Sequence, residues 1–397
     1  MQHNQSLDNL HHRIAALRRD LHAHPELAFH ERRTSDVVAA HLEGLGIEVH
    51  RNLARTGVVG RLSIGSGQGP SIGLRADMDA LPLAEMNTFP HRSKHEGRMH
   101  ACGHDGHTAV LLGAAEVLAS RRDNGLLGGL DGVVHFIFQP AEEHEGGGRV
   151  MVEEGLFERF PMDRVFGLHN WPGLPAGSFA IMDGPVMAGA DRFEITIKGR
   201  GGHAAMPHQA TDTVLAGAAL VQNLQSLVSR GVDPQQPAVV SVTRFQAGHA
   251  DNVLPETAVL GGTVRTFDPQ LQDTLEAGMR RICQGIEVAH DVEVQLEYSR
   301  GYPPTINDPA AAEFCRVVAR EVAGDHMMVT ARPSMGAEDF AYLSRVVPGC
   351  YVWLGNGPGE GGCMLHSPHY DFNDDVIPVG IRYWVALTER ALGGGSA

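Results

Sequence analysis

The densest group of reactive side chains in this sequence lies within Met-His-Ala-Cys-Gly-His-Asp-Gly-His, residues 99–107. Cys102 and His104 are separated by a single glycine, and thiolate and imidazole are both ligands of zinc-like cations. The spacing lets both side chains reach one ion, and Asp105 can orient an imidazole through a hydrogen bond. The segment also fits a thiol nucleophile, because a cysteine beside histidines at a helix start has a lowered pKa. A histidine-rich helix start without metal is the third interpretation.

Two pairs of carboxylates follow predicted strands, and strand ends are where α/β sheets bind their ligands. Asp77 and Asp79 are two residues apart in an extended segment, so they either face one site together or cap the next turn. Glu142 and Glu143 follow the apolar run 132–138, and neighbouring side chains of an extended chain point to opposite sides. One glutamate can therefore bind a metal while the other acts as general base. A solvated loop is the alternative for this pair.

Two isolated histidines extend the set of candidate ligands. His169 and His366 each stand at the end of an apolar segment, where a single histidine is usually structural. Combined with the thiolate, the imidazole and the carboxylate above, they give more protein ligands than one tetrahedral catalytic ion takes. The combination predicts a site for two cations.

These side chains need a layered domain that brings strand ends together. Helical spacing of apolar residues and apolar β-branched runs alternate in both terminal parts of the chain, which predicts an α/β fold. The predicted helices there are residues 7–22, 34–45, 108–120, 310–323 and 378–392. The predicted strands are residues 58–64, 71–76, 132–138 and 350–354.

The middle of the chain predicts a second domain. Its strands and helices follow the order β-α-β-β-α-β, which matches the ferredoxin-like unit. The predicted elements are residues 192–199, 211–230, 238–245, 258–267, 269–290 and 292–298. We therefore expect a discontinuous catalytic α/β domain of residues 1–189 and 302–397, interrupted by an inserted domain of residues 190–301.

Composition excludes several classes of protein. The chain has 397 residues, of which 43% are hydrophobic and 20% charged, which argues against a disordered, collagenous or membrane-spanning protein. Its 47 acidic and 32 basic residues give a net charge of -15, which disfavours nucleic acid and anionic membranes as partners. Five scattered cysteines predict reduced thiols, and the polar N-terminus predicts a cytoplasmic protein. The N-terminal histidines, His22 among them, receive no role.

Taken together, the motifs resemble the aminoacylase/carboxypeptidase metallopeptidase superfamily. Within it they are most similar to the amidohydrolase branch of hippurate hydrolases, N-acyl-amino-acid amidohydrolases and auxin-conjugate hydrolases. The similarity runs from about Leu21 to Leu392. The motifs that carry it are Leu-Arg-Ala-Asp-Met-Asp-Ala-Leu-Pro, Met-His-Ala-Cys-Gly-His-Asp-Gly-His, Phe-Gln-Pro-Ala-Glu-Glu, Gly-Leu-His-Asn, Gly-Arg-Gly-Gly-His-Ala-Ala-Met-Pro-His, Met-Gly-Ala-Glu-Asp-Phe and Leu-His-Ser-Pro.

The resemblance implies a role for each matching position in the metal site. Two divalent ions per subunit, manganese or zinc with nickel or cobalt as further candidates, would be bound by Cys102, His104, Glu143, His169 and His366. Glu142 would be the general base, and Asp77, Asp79 and Asp105 would support the ligands from behind. The carboxypeptidase relatives have a histidine where Asp77 stands, which leaves the bridging ligand open.

For the inserted domain the resemblance implies a lid that also forms a homodimer or a dimer of dimers. Its His203 would stabilise the oxyanion, within its own subunit or in a neighbouring active site. Asn252 and Arg265 would bind the carboxylate side of the substrate, and Gly336 would line the pocket.

The implied reaction is hydrolysis of an N-acyl amino acid to a carboxylic acid and a free amino acid. Two ions would polarise the amide carbonyl and activate a water molecule, and Glu142 would deprotonate that water. The acyl group stays open among benzoyl, indolylacetyl, acetyl and long-chain acyl. The alternatives are a dipeptidase or carboxypeptidase with the same metal pair, a thiol hydrolase that uses Cys102, and a metal-binding protein without catalysis.

Overall fold

The computed structural model describes residues 2–358 and 363–394. Its helices are α1 (Gln2–Ala23), α2 (Arg32–Gly44), α3 (His104–Asp123), α4 (Gly147–Glu153), α5 (Leu156–Arg159), α6 (Thr213–Gly231), α7 (Pro269–His290), α8 (Pro309–Ala323), α9 (Phe340–Ser344) and α10 (Ile377–Leu392). Its strands are β1 (Glu48–Leu53), β2 (Gly57–Ile64), β3 (Ser71–Asp77), β4 (Gly132–Gln139), β5 (Arg164–Pro172), β6 (Phe179–Ala180), β7 (Gly184–Met187), β8 (Gly189–Lys198), β9 (Gly202–His203), β10 (Ala238–Ala247), β11 (Val253–Leu254), β12 (Thr257–Thr266), β13 (Glu293–Tyr302), β14 (Thr305–Asn307) and β15 (Gly349–Gly357).

The chain forms two compact units. The first comprises the described residues of Met1–Gly184, Ile306–Arg332 and Asp339–Ala397, and the second comprises Pro185–Thr305 and Pro333–Glu338. The mixed α/β fold class is thus confirmed. The second unit begins and ends a few residues outside the predicted insertion, and it also takes in the segment that contains Gly336.

A seven-stranded sheet of order β1-β2-β4-β3-β5-β15-β6 forms the centre of the first unit. Strands β4, β3, β5 and β15 run parallel to one another, so their carboxyl ends lie at the same edge of the sheet. Every residue of β4 is buried, as expected for a central strand in a parallel sheet. Helices α1 and α10 pack against α3, and their apolar side chains join those of the sheet in one core.

Helix α3 begins four residues earlier than its apolar periodicity predicts. The prediction started at residue 108, but the helix starts at His104 and therefore carries His104 and His107 on its first turn. The difference arises because His-Asp-Gly-His contributes no apolar residue to the helical pattern. Gly103 precedes the helix with φ +92°, a left-handed conformation that glycine adopts without steric cost.

The second unit contains an antiparallel sheet of order β10-β12-β8-β13. Along the chain its main elements are β8, α6, β10, β12, α7 and β13, so the predicted β-α-β-β-α-β order is confirmed. Apolar side chains of the two helices pack against the sheet in a core of their own, including Ile195, Leu220 and Leu275. In the described part of the chain, no helix combines the length and apolarity that a bilayer crossing requires.

Candidate metal centre

The five candidate ligands come from four segments at the carboxyl edge of the large sheet. Cys102 and His104 stand at the start of α3, Glu143 follows β4, His169 lies in β5, and His366 lies in the loop after β15. Four overlapping groups have potential ligand atoms within 4.8 Å of one another, and three of them contain the candidate ligands. These three are Cys102 with Glu143 and His366; His104 with Glu142 and Glu143; and Asp77 with His104, His107 and His169. The structure therefore brings all five candidates together.

Two contacts fix the orientation of the thiol and imidazole groups. His169 Nδ1 lies 2.7 Å from the carbonyl oxygen of Asn170, which leaves Nε2 directed at Cys102 Sγ, 3.5 Å away. His366 Nε2 lies 3.3 Å from Glu143 Oε1. Cys102 and His169 are buried, while the His366 side chain is 55% exposed. The cluster therefore has a buried side and a side open to solvent.

The contacts of His104 show that these residues fit a metal ion. Its Nδ1 lies 3.2 Å from Asp79 Oδ1, but its buried Nε2 has no hydrogen-bond partner among the described residues. That atom lies 3.8 to 4.0 Å from carboxylate oxygens of Asp77, Glu142 and Glu143. A buried imidazole nitrogen without a partner is costly unless something binds it. The set of thiol, imidazole and carboxylate donors fits divalent ions of the zinc and manganese type.

The carboxylates control the protonation of this cluster. Burial alone would lower the pKa of His104, but Asp77, Asp79 and Glu143 raise it to about 10. Burial opposes the ionisation of Asp77, yet His104, His107 and Arg75 hold its pKa well below the ordinary value. Without an ion, His104 therefore carries a proton that metal binding must displace.

The two glutamates are held in place by a third acid. Asp79 accepts hydrogen bonds from the backbone N–H groups of Glu142 and Glu143, each at 3.0 Å. Glu142 is buried, with Oε2 4.0 Å from His104 Nε2. Asp79 therefore supports both glutamates and His104, rather than capping a turn of its own.

The expected low pKa of Cys102 is wrong. Burial raises the pKa of its thiol well above the ordinary value, and the nearby carboxylates of Glu143, Glu142 and Asp77 raise it further. Cys102 also precedes the helix start instead of lying in its first turn. The physical basis for a thiol nucleophile is therefore absent in the ion-free chain.

Asp105 directs its side chain toward α1 in the described structure. Its Oδ2 lies 2.9 Å from His22 Nδ1 and 3.4 Å from Arg18 Nη1, both on α1. His22 is fully buried and also lies 3.2 Å from Glu85 Oε1, so the N-terminal histidine to which the sequence assigned no role joins α1 to α3. The pattern gave no sign of it, because the pairing joins residues 83 positions apart.

His107 is the other residue that sequence reasoning missed. It was noted in the motif but given no role, although it lies three positions after His104 and hence on the same helix face. Its Nδ1 is 2.6 Å from Asp77 Oδ1, and its ring centroid is 4.4 Å from that of His169.

The candidate residues of the second unit are placed as follows. His203 is exposed in β9 and pairs with Val253 of β11, and the backbone N–H of the next residue donates to the carbonyl of Asn252 at 3.0 Å. Arg265 is half-buried in β12, where its Nε donates to Thr263 Oγ1 at 3.1 Å. Gly336 is exposed, and its carbonyl accepts a hydrogen bond from the backbone of residue 188. His203 and Asn252 are thus neighbours, while Arg265 lies on the main sheet of that unit.

Comparison with known proteins identifies the family. Residues 73–390 match the model of Peptidase family M20/M25/M40. A hippurate hydrolase of Campylobacter jejuni is 42% identical over 377 residues, covering 95% of this chain and 96% of that protein. An N-acetylcysteine deacetylase of Bacillus subtilis is 40% identical over 379 residues, covering 95% of this chain and 96% of that protein.

A solved structure supports the same assignment. The Bacillus subtilis YxeP protein, described as a dinuclear metal-binding peptidase of the M20 family, matches with a TM-score of 0.84 and 36% identity. The match covers 97% of this chain and 99% of that one. The resemblance inferred from the motifs is confirmed, and the chain belongs to peptidase family M20/M25/M40, as a hydrolase that acts on amide bonds.

Proposed function

We propose that this protein hydrolyses N-acyl amino acids to a carboxylic acid and a free amino acid. The observation that carries the proposal is the convergence of one thiol, three imidazoles and one carboxylate next to the separate carboxylate of Glu142. The relatives support the substrate class, since hippurate and N-acetylcysteine, after which two of them are named, are both N-acylated amino acids. A protein that only stored metal would have no need of the additional acid.

The metal ligands in this proposal are Cys102, His104, Glu143, His169 and His366. Two divalent ions bound there would polarise the amide carbonyl and lower the pKa of water. The ligand types do not decide between manganese and zinc, or nickel and cobalt, because thiolate favours zinc and carboxylate favours manganese. The metal titration below decides between them.

Glu142 is the general base in the proposed mechanism. Its carboxylate takes a proton from the attacking water, whose oxygen bonds to the amide carbon. When the C–N bond breaks, Glu142 returns that proton to the nitrogen of the leaving amino acid. The backbone hydrogen bonds to Asp79 support this role, because they hold Glu142 in place beside the ligand Glu143.

Substrate recognition is assigned to residues of the second unit. His203 would stabilise the oxyanion, Asn252 and Arg265 would bind the carboxylate side of the substrate, and Gly336 would line the pocket. Partial burial and the nearby Arg192 lower the pKa of Arg265, which means that its positive charge is disfavoured there. A bound carboxylate would stabilise that charge. We also propose that this unit acts as a lid and forms the interface of a cytoplasmic homodimer.

The test is hydrolysis by chelator-stripped protein to which manganese or zinc is restored stepwise. The panel contains hippurate, other N-acyl amino acids with acetyl, indolylacetyl and long-chain acyl groups, and each compound with its carboxylate blocked as the amide. We expect activity to vanish on stripping, to return near two equivalents of metal, and to fall when the carboxylate is blocked. Activity that is unchanged when the metal is removed would contradict the proposal.

A dipeptidase or carboxypeptidase activity is the second candidate. The family is a peptidase family, and the YxeP structure is described as that of a peptidase. Dipeptides with a free amino group, added to the same panel, distinguish this activity from hydrolysis of N-acyl amino acids. Preferential hydrolysis of dipeptides over N-acyl amino acids would favour this candidate.

A further inference from the structure

Four side chains in one of the ligand groups are each close enough to bind a metal ion. Potential ligand atoms of Asp77, His104, His107 and His169 lie within 4.8 Å of one another, so proximity alone cannot separate ligands from their supports. Their hydrogen bonds do separate them. His104 and His169 each use one ring nitrogen on an oxygen of the protein and direct the other into the cluster. His107 has both ring nitrogens occupied.

His107 lies in the middle of a buried chain of hydrogen bonds. Its Nδ1 lies 2.6 Å from Asp77 Oδ1. Its Nε2 lies 2.6 Å from the side-chain oxygen Oδ1 of Asn170 and 2.9 Å from the backbone nitrogen of the same residue. The side-chain Nδ2 of Asn170 donates to the Tyr370 hydroxyl at 2.5 Å. Both ring nitrogens of His107 therefore have partners within the protein.

Asp77 is held equally firmly from its other side. Arg75 Nη1 donates to Asp77 Oδ2 at 2.7 Å, while Nη2 donates to Asp339 and Nε to Gln139. The side chains of Arg75 and Asp77 are each 1% exposed. Both carboxylate oxygens of Asp77 thus have partners within the protein, His107 on one and Arg75 on the other.

The members of this chain are next to the ligands in sequence. Asn170 follows His169, and His107 is one turn of α3 after His104. The remaining links are Tyr370, four residues after His366, and Gln139, which ends β4 just before Glu143. The loop of Tyr370 is also joined to the start of α3, because the His366 N–H donates to the carbonyl of Ala101 at 2.7 Å. The hydrogen-bond chain therefore links all four segments that carry ligands.

We propose that His107, Asn170 and Tyr370 are positioning residues, which together with Asp77 fix the spacing of the ligand segments, and that His107 does not bind the ions. The inference rests on the metal binding in the proposed function but not on its substrate. Groups that orient metal ligands typically contribute 10- to 100-fold to metal affinity, without changing the number of ions bound.

The first experiment removes the hydroxyl at the end of the chain. Full-length Tyr370→Phe, stripped with a chelator, is titrated with Co²⁺ against a competing chelator, and thiolate-to-cobalt absorption reports the geometry at Cys102. We expect two bound ions, an affinity about tenfold or more weaker than that of the wild type, and an altered absorption band. Tyr383→Phe is the matched control, because that hydroxyl is equally buried but lies in α10, beside Cys315 and not in the chain of hydrogen bonds described above.

The second experiment separates a positioning residue from a ligand. His107→Gln should still bind two Co²⁺ ions, more weakly, whereas His169→Gln should bind fewer. Loss of an ion in His107→Gln, or wild-type affinity in Tyr370→Phe, would overturn the proposal. Because the titration needs no substrate, a wild type that binds two ions without hydrolysing any compound would refute the proposed function and leave this inference standing.

Discussion

The Asp79 side chain holds the adjacent Glu142 and Glu143, for which we propose different roles. By accepting the backbone N–H groups of two consecutive glutamates, it fixes the direction in which each of them leaves the chain. Glu143 then contacts His366, while Glu142 lies near His104. The adjacent acids need this support, since both are emerging from a buried strand into a site with several other carboxylates.

Replacement of the proposed base isolates the chemical step. Glu142→Gln should retain both metal ions and lose about 100-fold or more in kcat, because the amide keeps the shape of the side chain but cannot take a proton. Metal content and turnover on hippurate measure the two effects. The control is Glu143→Gln, which should lose metal as well as activity. A Glu142→Gln variant with near-wild-type turnover would exclude Glu142 as the base.

Among the elements, the start of α3 has a glycine that no other residue can replace without a steric clash. A Cβ atom on Gly103 would lie 2.2 Å from Asn170 Oδ1 and 2.6 Å from the Tyr370 hydroxyl. The glycine is therefore needed both for its φ of +92° and for the close approach of two other segments.

Gly103→Ala should therefore destabilise the protein by about 3 kcal/mol and weaken metal binding together with stability. Gly97→Ala is the matched control, since Gly97 also has a positive φ, +72°, but no atom within 4 Å of the added Cβ. That control should cost about 1 kcal/mol or less. Urea unfolding measures both, and equal losses would show that backbone strain alone, without the close approach, accounts for the requirement.

Helix α1 is attached to α3 by a buried ionic contact with a definite pH dependence. Burial alone would lower the pKa of His22, but Asp105 and Glu85 raise it from 6.5 to about 9. The stabilisation from charged His22 is thus fully present below pH 6.5 and is lost as the pH rises through about 9. At low pH the contact depends on Asp105. Because its pKa is lowered, Asp105 becomes protonated, and its contribution to stability is lost, only in strong acid.

His22→Gln should accordingly be less stable than the wild type by roughly 2 to 3 kcal/mol near pH 6.5, and the difference should shrink toward pH 9. Denaturant unfolding of the metal-loaded protein at both pH values measures it. His12→Gln, an exposed histidine on the same helix, should show no such trend. A difference independent of pH would mean that His22 contributes by packing rather than by charge.

For the whole molecule, the candidate metal centre is where separate parts of the first unit meet. Its ligands come from segments as distant in sequence as residues 102 and 366, so ions bound there cross-link the fold. The second unit has a hydrophobic core of its own and contributes none of the five candidate ligands.

Removal of metal should therefore lower the melting temperature, because ions that bind only the folded chain stabilise it by mass action. At 100 times the Kd one site contributes about 2.7 kcal/mol, which corresponds to a shift of about 3 °C for a chain of this length. Scanning calorimetry of stripped and reloaded protein measures the shift. The His169→Gln variant should gain less from added metal, and identical melting of stripped and loaded wild type would contradict a site that joins these segments.

The sequence by itself was sufficient for the fold class and the order of elements in the second unit, and it supplied the candidate metal ligands that the structure brings close together. Residue type and short spacing carry those signals: Cys102 and His104 are two positions apart, Glu142 and Glu143 are adjacent, and buried β4 is a continuous apolar run. The family assignment followed from the same short motifs and is confirmed by the comparisons.

Only the tertiary structure decided which groups surround those motifs. The pairing of Asp105 with His22, the raised pKa of Cys102 and the contacts of His107 with Asp77 and Asn170 all join residues far apart in the chain or depend on burial. A pKa and a hydrogen bond are set by distances in the folded molecule, and spacing along a sequence does not contain those distances. Residue types therefore predicted what the site is made of, and the fold determined how each residue is used.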